Sequence, residues 1–345
     1  MEPTKEDLLS IPVEHIDIKS IDTTALVEAM AKMSFQARNL ARASMIWDRM
    51  LADGDCTTIL TMAGSLCSSG LKRAIRDLIE ADLVDIIVSS GANMVDMDFF
   101  EALGFRHYVG SMWADDTVLH GMAIDRIYDT YIDEDQLRDC DAAVGAIADT
   151  LEPGAYSSRQ FIREMGRWLD EGNARVDDSI IHAAYRKGVP IFVPAFSDCS
   201  AGFGLMDHQR RHPDGHVTID SVRDFRELCD LAIDADRTGI TILAGGVPQN
   251  FVQDAVLGVQ LNEDGSLSRE PRMHSYAIKV TVTDEHDGSL SGSTLREAHS
   301  WGKVEYETEQ VVYAEVTMAL PVMASYVYHR SRGRDRKGRR LGDAL

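Results

Sequence analysis

The run Thr58-Ile59-Leu60-Thr61-Met62, the loop Ala63-Gly64-Ser65-Leu66-Cys67-Ser68-Ser69-Gly70, the segment Leu71 to Ala81 (LKRAIRDLIEA) and the run Val84 to Val88 (VDIIV) together decide the fold. TILTM is short, apolar and rich in β-branched residues, as a buried strand requires. In LKRAIRDLIEA, Leu71, Ile75, Leu78 and Ile79 recur at helical spacing and share one face. VDIIV repeats the strand signature and again ends in a small polar loop, Ser89-Ser90-Gly91-Ala92-Asn93. Strand, loop, helix and strand make a βαβ unit.

Outward from this unit the same alternation continues. The middle of the chain predicts helices over Asp133 to Leu151, Ser157 to Glu171 with a serine N-cap, and Asp177 to Lys187, the last ended by Gly188. Strands are then expected at Pro190 to Pro194 (PIFVP), Gly239 to Leu243 (GITIL) and Ser275 to Thr283 (SYAIKVTVT), with helices at Val222 to Ala235 and Gln249 to Leu257. Such alternation predicts an α/β fold, a parallel sheet with helices on both faces. With no internal repeat and no long Pro/Gly/Ser linker, the expectation is an arm over 1–30, a single domain over 31–329 and a basic tail over 330–345.

The 345 residues hold 35 Lys+Arg against 56 Asp+Glu, a formal charge of −21. An acidic field repels phosphate, which argues against nucleic acid and for cationic or neutral partners. Cys56, Cys67, Cys140, Cys199 and Cys229 are dispersed without metal-like spacing, so no metal site is expected and a reducing, cytoplasmic setting is. The start lacks the basic and apolar regions of a signal peptide. Val311 to Tyr328, interrupted by Glu315 and Pro321, falls short of the about 20 apolar residues of a membrane span and reads as a strand and a helix. The tail carries seven basic against two acidic residues and reads as a disordered, solubilising segment or as a binding element.

In open parallel sheets ligands sit beyond the carboxyl ends of the strands. The loops there, Ala63 to Gly70, Ser89 to Asp96, Pro194 to Gly204 and Ala244-Gly245-Gly246, are rich in small or acidic residues. They are either tight strand-to-helix turns or a cofactor cradle, with Asp96 and Asp198 placed to hold ribose hydroxyls. Further on, Thr281 to Lys303 reads TVTDEHDGSLSGSTLREAHSWGK. Lys303, after a glycine and near Trp301 and Glu297, is either a solvated turn residue or a desolvated amine able to attack carbonyls and imines.

Ser300-Trp301-Gly302-Lys303, with Glu297 ahead of it and Asp287-Gly288-Ser289 upstream, resembles the active-site segment of the deoxyhypusine synthase family. Phe35-Gln36-Ala37-Arg38-Asn39, Ser68-Ser69-Gly70, Pro194-Ala195-Phe196-Ser197-Asp198, Gly245-Gly246-Val247 and Tyr313-Ala314-Glu315 match in the same order. The resemblance spans Met33 to His329. It implies a Rossmann-like fold, a homotetramer with sites at subunit interfaces, and an NAD-dependent aminobutyl transferase acting on a polyamine. In that family a hydride leaves the carbon beside the secondary amine of spermidine, the lysine captures the imine and expels diaminopropane, and the butylamine unit passes to an acceptor lysine before the hydride returns. Lys303 would be the nucleophile.

Carried over residue by residue, Gly64, Ser65, Ser68, Ser90, Asp96, Asp198, Gly246, Asp287, Ala314 and Glu315 match cofactor positions, although Gly64 and Ser65 replace a Ser-Asn pair. Ser289, Glu297 and Trp301 match the amine tunnel. There the chain departs from the pattern: Leu290 and Phe203 stand where the family has aspartates, and Asn250 where it has a histidine. Since a buried ammonium needs a carboxylate, a changed amine is implied, with Asp207 or Glu285 as replacement carboxylates. The acceptor is a protein or a free amine. The alternatives are an NAD-dependent amine oxidoreductase, in which free NADH accumulates, and an NAD-binding protein with a decayed substrate site.

Overall fold

A computed structural model describes residues 3–258, 264–266 and 272–343. Six parallel strands form the central sheet: β1 (Cys56–Met62), β2 (Ile86–Ser89), β3 (Ile191–Phe192), β4 (Arg237–Leu243), β5 (Tyr276–Thr281) and β6 (Glu309–Tyr313), in the order 3-2-1-4-5-6. That order is the doubly wound one, whose reversal between β1 and β4 opens a crevice beyond the strand ends. β1 and β4 pair along their full lengths, from Cys56 opposite Arg237 to Met62 opposite Leu243.

Successive side chains of a strand alternate faces, and here both faces are buried. Leu60 and Met62 of β1, Ile87 of β2 and Ile278 and Val280 of β5 join the larger core, with Met50, Ile75 and Leu320 from the helices Phe35–Ala52, Lys72–Glu80 and Val316–Ser331. Ile59, Ile86, Val88, Ile240 and Ile242 turn the other way, onto Leu228, Val252 and Leu295 of Ser221–Asp234, Gly246–Gly258 and Leu295–Ser300. Ser157 caps Ser158–Trp168 through a reciprocal capping box with Gln160, and Gly188, at φ 66°, ends Ile180–Lys187.

The alternation did not announce a three-stranded antiparallel sheet (Tyr108–Val109, Ile124–Ile127, Thr130–Asp133), nor a parallel pair of Gly154–Tyr156 with Val217–Ile219. These strands are two to four residues long, too short to carry a period. The two terminal segments lie on the body. Ile18 and Val27 are buried, Ile16 N donates to the Gly70 carbonyl, and Lys19 and Asp17 pair with Asp77 and Arg73. The reading of the tail as disordered is corrected: Arg336 pairs with the fully buried Asp85 at 2.5 Å and Arg334 with Asp48 at 2.8 Å. The physical reason is that Asp85, at the foot of β2, is buried, and among the described residues the cations beside it are Arg336 and Arg339, so the tail supplies its counter-charge. Among the described residues no helix is long and apolar enough to cross a membrane.

Candidate functional site

Lys303 reaches its position by a helix C-cap. After Leu295–Ser300, N-capped by Thr294, Gly302 takes φ 74°, its N–H donates to the His299 carbonyl and the Lys303 N–H to Ala298. These two bonds are a Schellman motif, which needs a residue free to adopt the left-handed conformation. It reverses the chain so that Trp301 stays 63% exposed while Lys303 is 8% exposed. His274, buried, then receives the next stretch: its N–H donates to the Lys303 carbonyl and its carbonyl accepts from Glu305.

The Lys303 ammonium lies 2.7 Å from Asp254 Oδ1, donates to Asn250 Oδ1 at 3.2 Å and sits 5.3 Å from the Trp301 ring centroid. Asn250 Nδ2 in turn donates to Asp254 Oδ2 at 2.8 Å. Asn250, Asp254, Asp287, Ser289, Leu290, Glu297, Trp301 and Lys303 line one open groove of about 550 Å³. The expected site residues Asn250, Ser289, Glu297, Trp301 and Lys303 are thus brought together. Phe203 is not among them, and Asp207, expected as a replacement carboxylate, instead pairs with Arg211. Glu285 does line the groove, but the carboxylate in contact with Lys303 is Asp254. Its signal was present in the sequence, since positions 250 and 254 are one turn apart and share a face of Gly246–Gly258.

A second unanticipated residue lies behind the groove. Lys279 of β5 is 1% exposed and donates to the carbonyls of Ser291 at 2.9 Å and Ser293 at 2.5 Å, fixing the loop that carries Ser289 and Leu290. Burial pushes this ammonium down to about 8, with Glu297 pulling it back up.

The expected cofactor residues follow the carboxyl ends of several strands and are not gathered in one groove: Asp287 lines the Lys303 groove, Asp96 and Asp198 another. Gly64 (φ 71°) and Ser65 follow β1; Ala244 (φ 72°), Gly245 (φ 130°) and Gly246 (φ 68°) follow β4 and open a helix. A Cβ on Gly245 would stand 2.9 Å from Gln249 Oε1 and 3.0 Å from the Ser291 Cα, so close packing of the chain on itself requires glycine there, whereas at Gly246 the nearest atom to such a Cβ is the Ala63 Cβ at 3.7 Å. Gln249 Oε1 is itself buried without a hydrogen-bond partner among the described residues. A glycine-lined crevice at the N-terminus of a 13-residue helix fits a dinucleotide pyrophosphate.

Ser90 Oγ donates to the Gly64 carbonyl at 3.0 Å and Ser68 Oγ to Ser65 at 2.8 Å, holding that loop. Asp287 Oδ1 accepts from Ser289 N at 2.7 Å, and Glu315, beside Ala314, caps Val316–Ser331. Asp96 accepts from Ser200 N at 2.6 Å and lines a separate acidic groove of about 570 Å³ with Asp198 and Phe203. Burial pushes the Asp96 carboxyl up to about 6, against the Ser200 hydrogen bonds. The strand order sets Asp96 and Asp198, after β2 and β3, on one side of the crevice and Lys303 on the other, four strand spacings or roughly 19 Å between β3 and β5.

One cluster elsewhere, Asp149, His208 and His212, has metal-like proximity. However, His208 Nε2 accepts from Val217 N at 3.0 Å, so its Nδ1 carries the proton and donates to Asp149 at 2.6 Å, leaving no lone pair for a metal there.

The family model for deoxyhypusine synthase matches residues 25–327. The chain belongs to the deoxyhypusine synthase family. It is 54% identical over 341 residues to a deoxyhypusine synthase-like protein of Chlorobaculum tepidum, covering 99% of this chain and 96% of that one. It is 37% identical over 323 residues to a probable deoxyhypusine synthase of Methanosarcina mazei, covering 93% and 91%. A solved structure of a candidate deoxyhypusine synthase from Entamoeba histolytica shares the fold, at a TM-score of 0.58 and 18% identity over 92% of this chain and 97% of that one. Within this deoxyhypusine synthase family framework, Asp254 and Lys279 are the additions that the structure makes to the site.

Proposed function

We propose that this protein is an aminobutyl-type transferase that moves an alkylamine unit from a polyamine or related amine to an amine acceptor, with NAD and a covalent imine on Lys303. The observation that carries this reading is the Lys303 amine, buried at the base of a groove, held at 2.7 Å by Asp254 and faced by Trp301 and Glu297. Gly64, Ser65, Ser68, Ser90, Gly246, Asp287, Ala314 and Glu315 would hold the cofactor about the crevice, with Asp96 and Asp198 toward its ribose. NAD, when bound, supplies a hydride acceptor and later a hydride donor, so the transfer is redox-neutral overall. Lys303, once deprotonated, adds to the imine carbon of the oxidised amine; the bond from that carbon to the original nitrogen breaks, and the leaving amine carries away the proton. An acceptor amine then repeats the attack and releases Lys303.

With no carboxylate at Leu290, Asp254 puts one beside the reacting amine of the same groove. Two carboxylates, Asp254 and Glu297, in an arrangement unlike the family's favour an amine that differs from spermidine in its family pose. The separation of the Asp96 and Lys303 grooves fits sites completed by a second copy, as in the homotetramer that the family implies.

The test is borohydride trapping. Protein, NAD and a panel of polyamines and agmatine, reduced and weighed intact, should give a mass increase that maps to Lys303 and vanishes in Lys303→Arg. Unchanged mass across the panel sinks the transferase reading. Free NADH accumulating in Lys303→Arg would establish the amine oxidoreductase instead.

A further inference from the structure

Between Lys303 and the groove mouth stands a carboxylate with two faces. Asp254 Oδ1 contacts the Lys303 ammonium at 2.7 Å and Oδ2 accepts from Asn250, while the Asp254 side chain keeps 36% of its surface exposed against 10% for Lys303. The other acidic groups of the groove differ. Asp287 is engaged by the Ser289 N–H at 2.7 Å, and Glu285 and Glu297 are exposed residues screened by water. Asp254 is therefore the carboxylate that an alkylammonium entering the groove meets beside the reacting amine, and it already holds an internal ammonium.

One carboxylate serves two cations poorly. Like charges a few ångströms apart repel, and more strongly where water is thin. We propose that Asp254 is shared in turn: it holds Lys303 as an ammonium in the resting protein, and an incoming primary alkylammonium takes its place. Lys303, deprived of its counter-ion and beside a second cation, then releases one proton to solvent through the open groove. Its neutral nitrogen becomes the nucleophile. No bond other than N–H changes in this step, and the released proton balances the charge brought in by the substrate. Asn250, bonded to both partners, steers the exchange. The ligand class is a primary aliphatic amine with its charged end toward Asp254. This inference rests on the reading of Lys303 as the nucleophile of an amine transferase.

The test uses equilibrium binding of 1,4-diaminobutane to the full chain by calorimetry without NAD, so that no turnover is needed. Lys303→Met removes the internal competitor and should bind the diamine about ten-fold more tightly than the unsubstituted protein. Asp254→Asn should weaken binding by about ten-fold or more in either background, and Asp254→Glu should restore much of it. The idea is overturned if Lys303→Met binds no better, if Asp254→Asn leaves binding unchanged, or if no variant binds the diamine. Should Asp254→Asn not fold, Lys303→Met alone decides. The transferase reading fails by a different observation, an unmodified Lys303 after borohydride, so the two failures are distinguishable.

Discussion

At the scale of single residues, Lys279 and Asp254 are the two charges that the site owes to side chains outside the motif around Trp301. Lys279 sits within a strand buried on both faces, where its ammonium is satisfied by two carbonyls but, among the described residues, paired with no carboxylate in hydrogen-bond contact. Its folded value of about 8 lies below the ordinary 10.5. Between these values the unfolded chain holds the proton and the folded chain does not, so this group makes stability rise with pH across that window. Urea denaturation at pH 7.5 and 9.5 should therefore show the unsubstituted protein gaining on Lys279→Met as pH rises. Parallel profiles would contradict the assignment. The residue was visible as a lone charge in SYAIKVTVT, but an alternating pattern there suggests a half-exposed strand, on which a lysine faces water. Only the sheet order, with β5 between β4 and β6 and helices on both faces, buries it.

At the scale of elements, the sequence legible as βαβ units became the six-stranded sheet because long periodic runs report burial directly. Ser157 and Gly188 act where their residue types predict, since caps depend on neighbours within one turn. Asp254 was missed for the complementary reason: a polar residue on a helix says which face it shares, but not what crosses from a segment 49 positions later. The tail shows the same limit. Its arginines looked like solvated charge, yet Arg336 also donates to the Asp82 carbonyl at 2.8 Å and to Thr58 Oγ1 at 3.1 Å. Removing one partner of a buried pair leaves the other uncompensated, so Arg336→Ala should destabilise by about 3–5 kcal/mol. Adding Asp85→Asn should recover part of the loss, and chemical denaturation of the two variants measures both effects. Equal stability of Arg336→Ala and the unsubstituted protein would show that Arg339 suffices.

At the scale of the whole molecule, large apolar side chains stand exposed at the start of Phe35–Ala52, just after β5 and in the first turn of Val316–Ser331. Phe35 is 89% exposed at φ 55°, a conformation that costs a non-glycine residue energy, while Val282 and Met318 are 72% and 75% exposed. Strain and exposure together are economical only if another surface covers them. In the proposed homotetramer a second copy does so, and Phe35→Asp should shift sedimentation toward smaller species. An unaltered assembly would remove Phe35 from the interface.

The pairing of Asp85 with Arg336 also sets an order of events in synthesis. The two lie 251 positions apart. At ribosomal rates of about 5–20 residues per second, Asp85 waits roughly 10–50 seconds for Arg336. Until then the Asp85 charge at the foot of β2 rests on the N–H and hydroxyl of Thr58 in β1 without its arginine, and the first βαβ unit, however soon its strands and helix form, stays a provisional structure that the emerging tail locks in place.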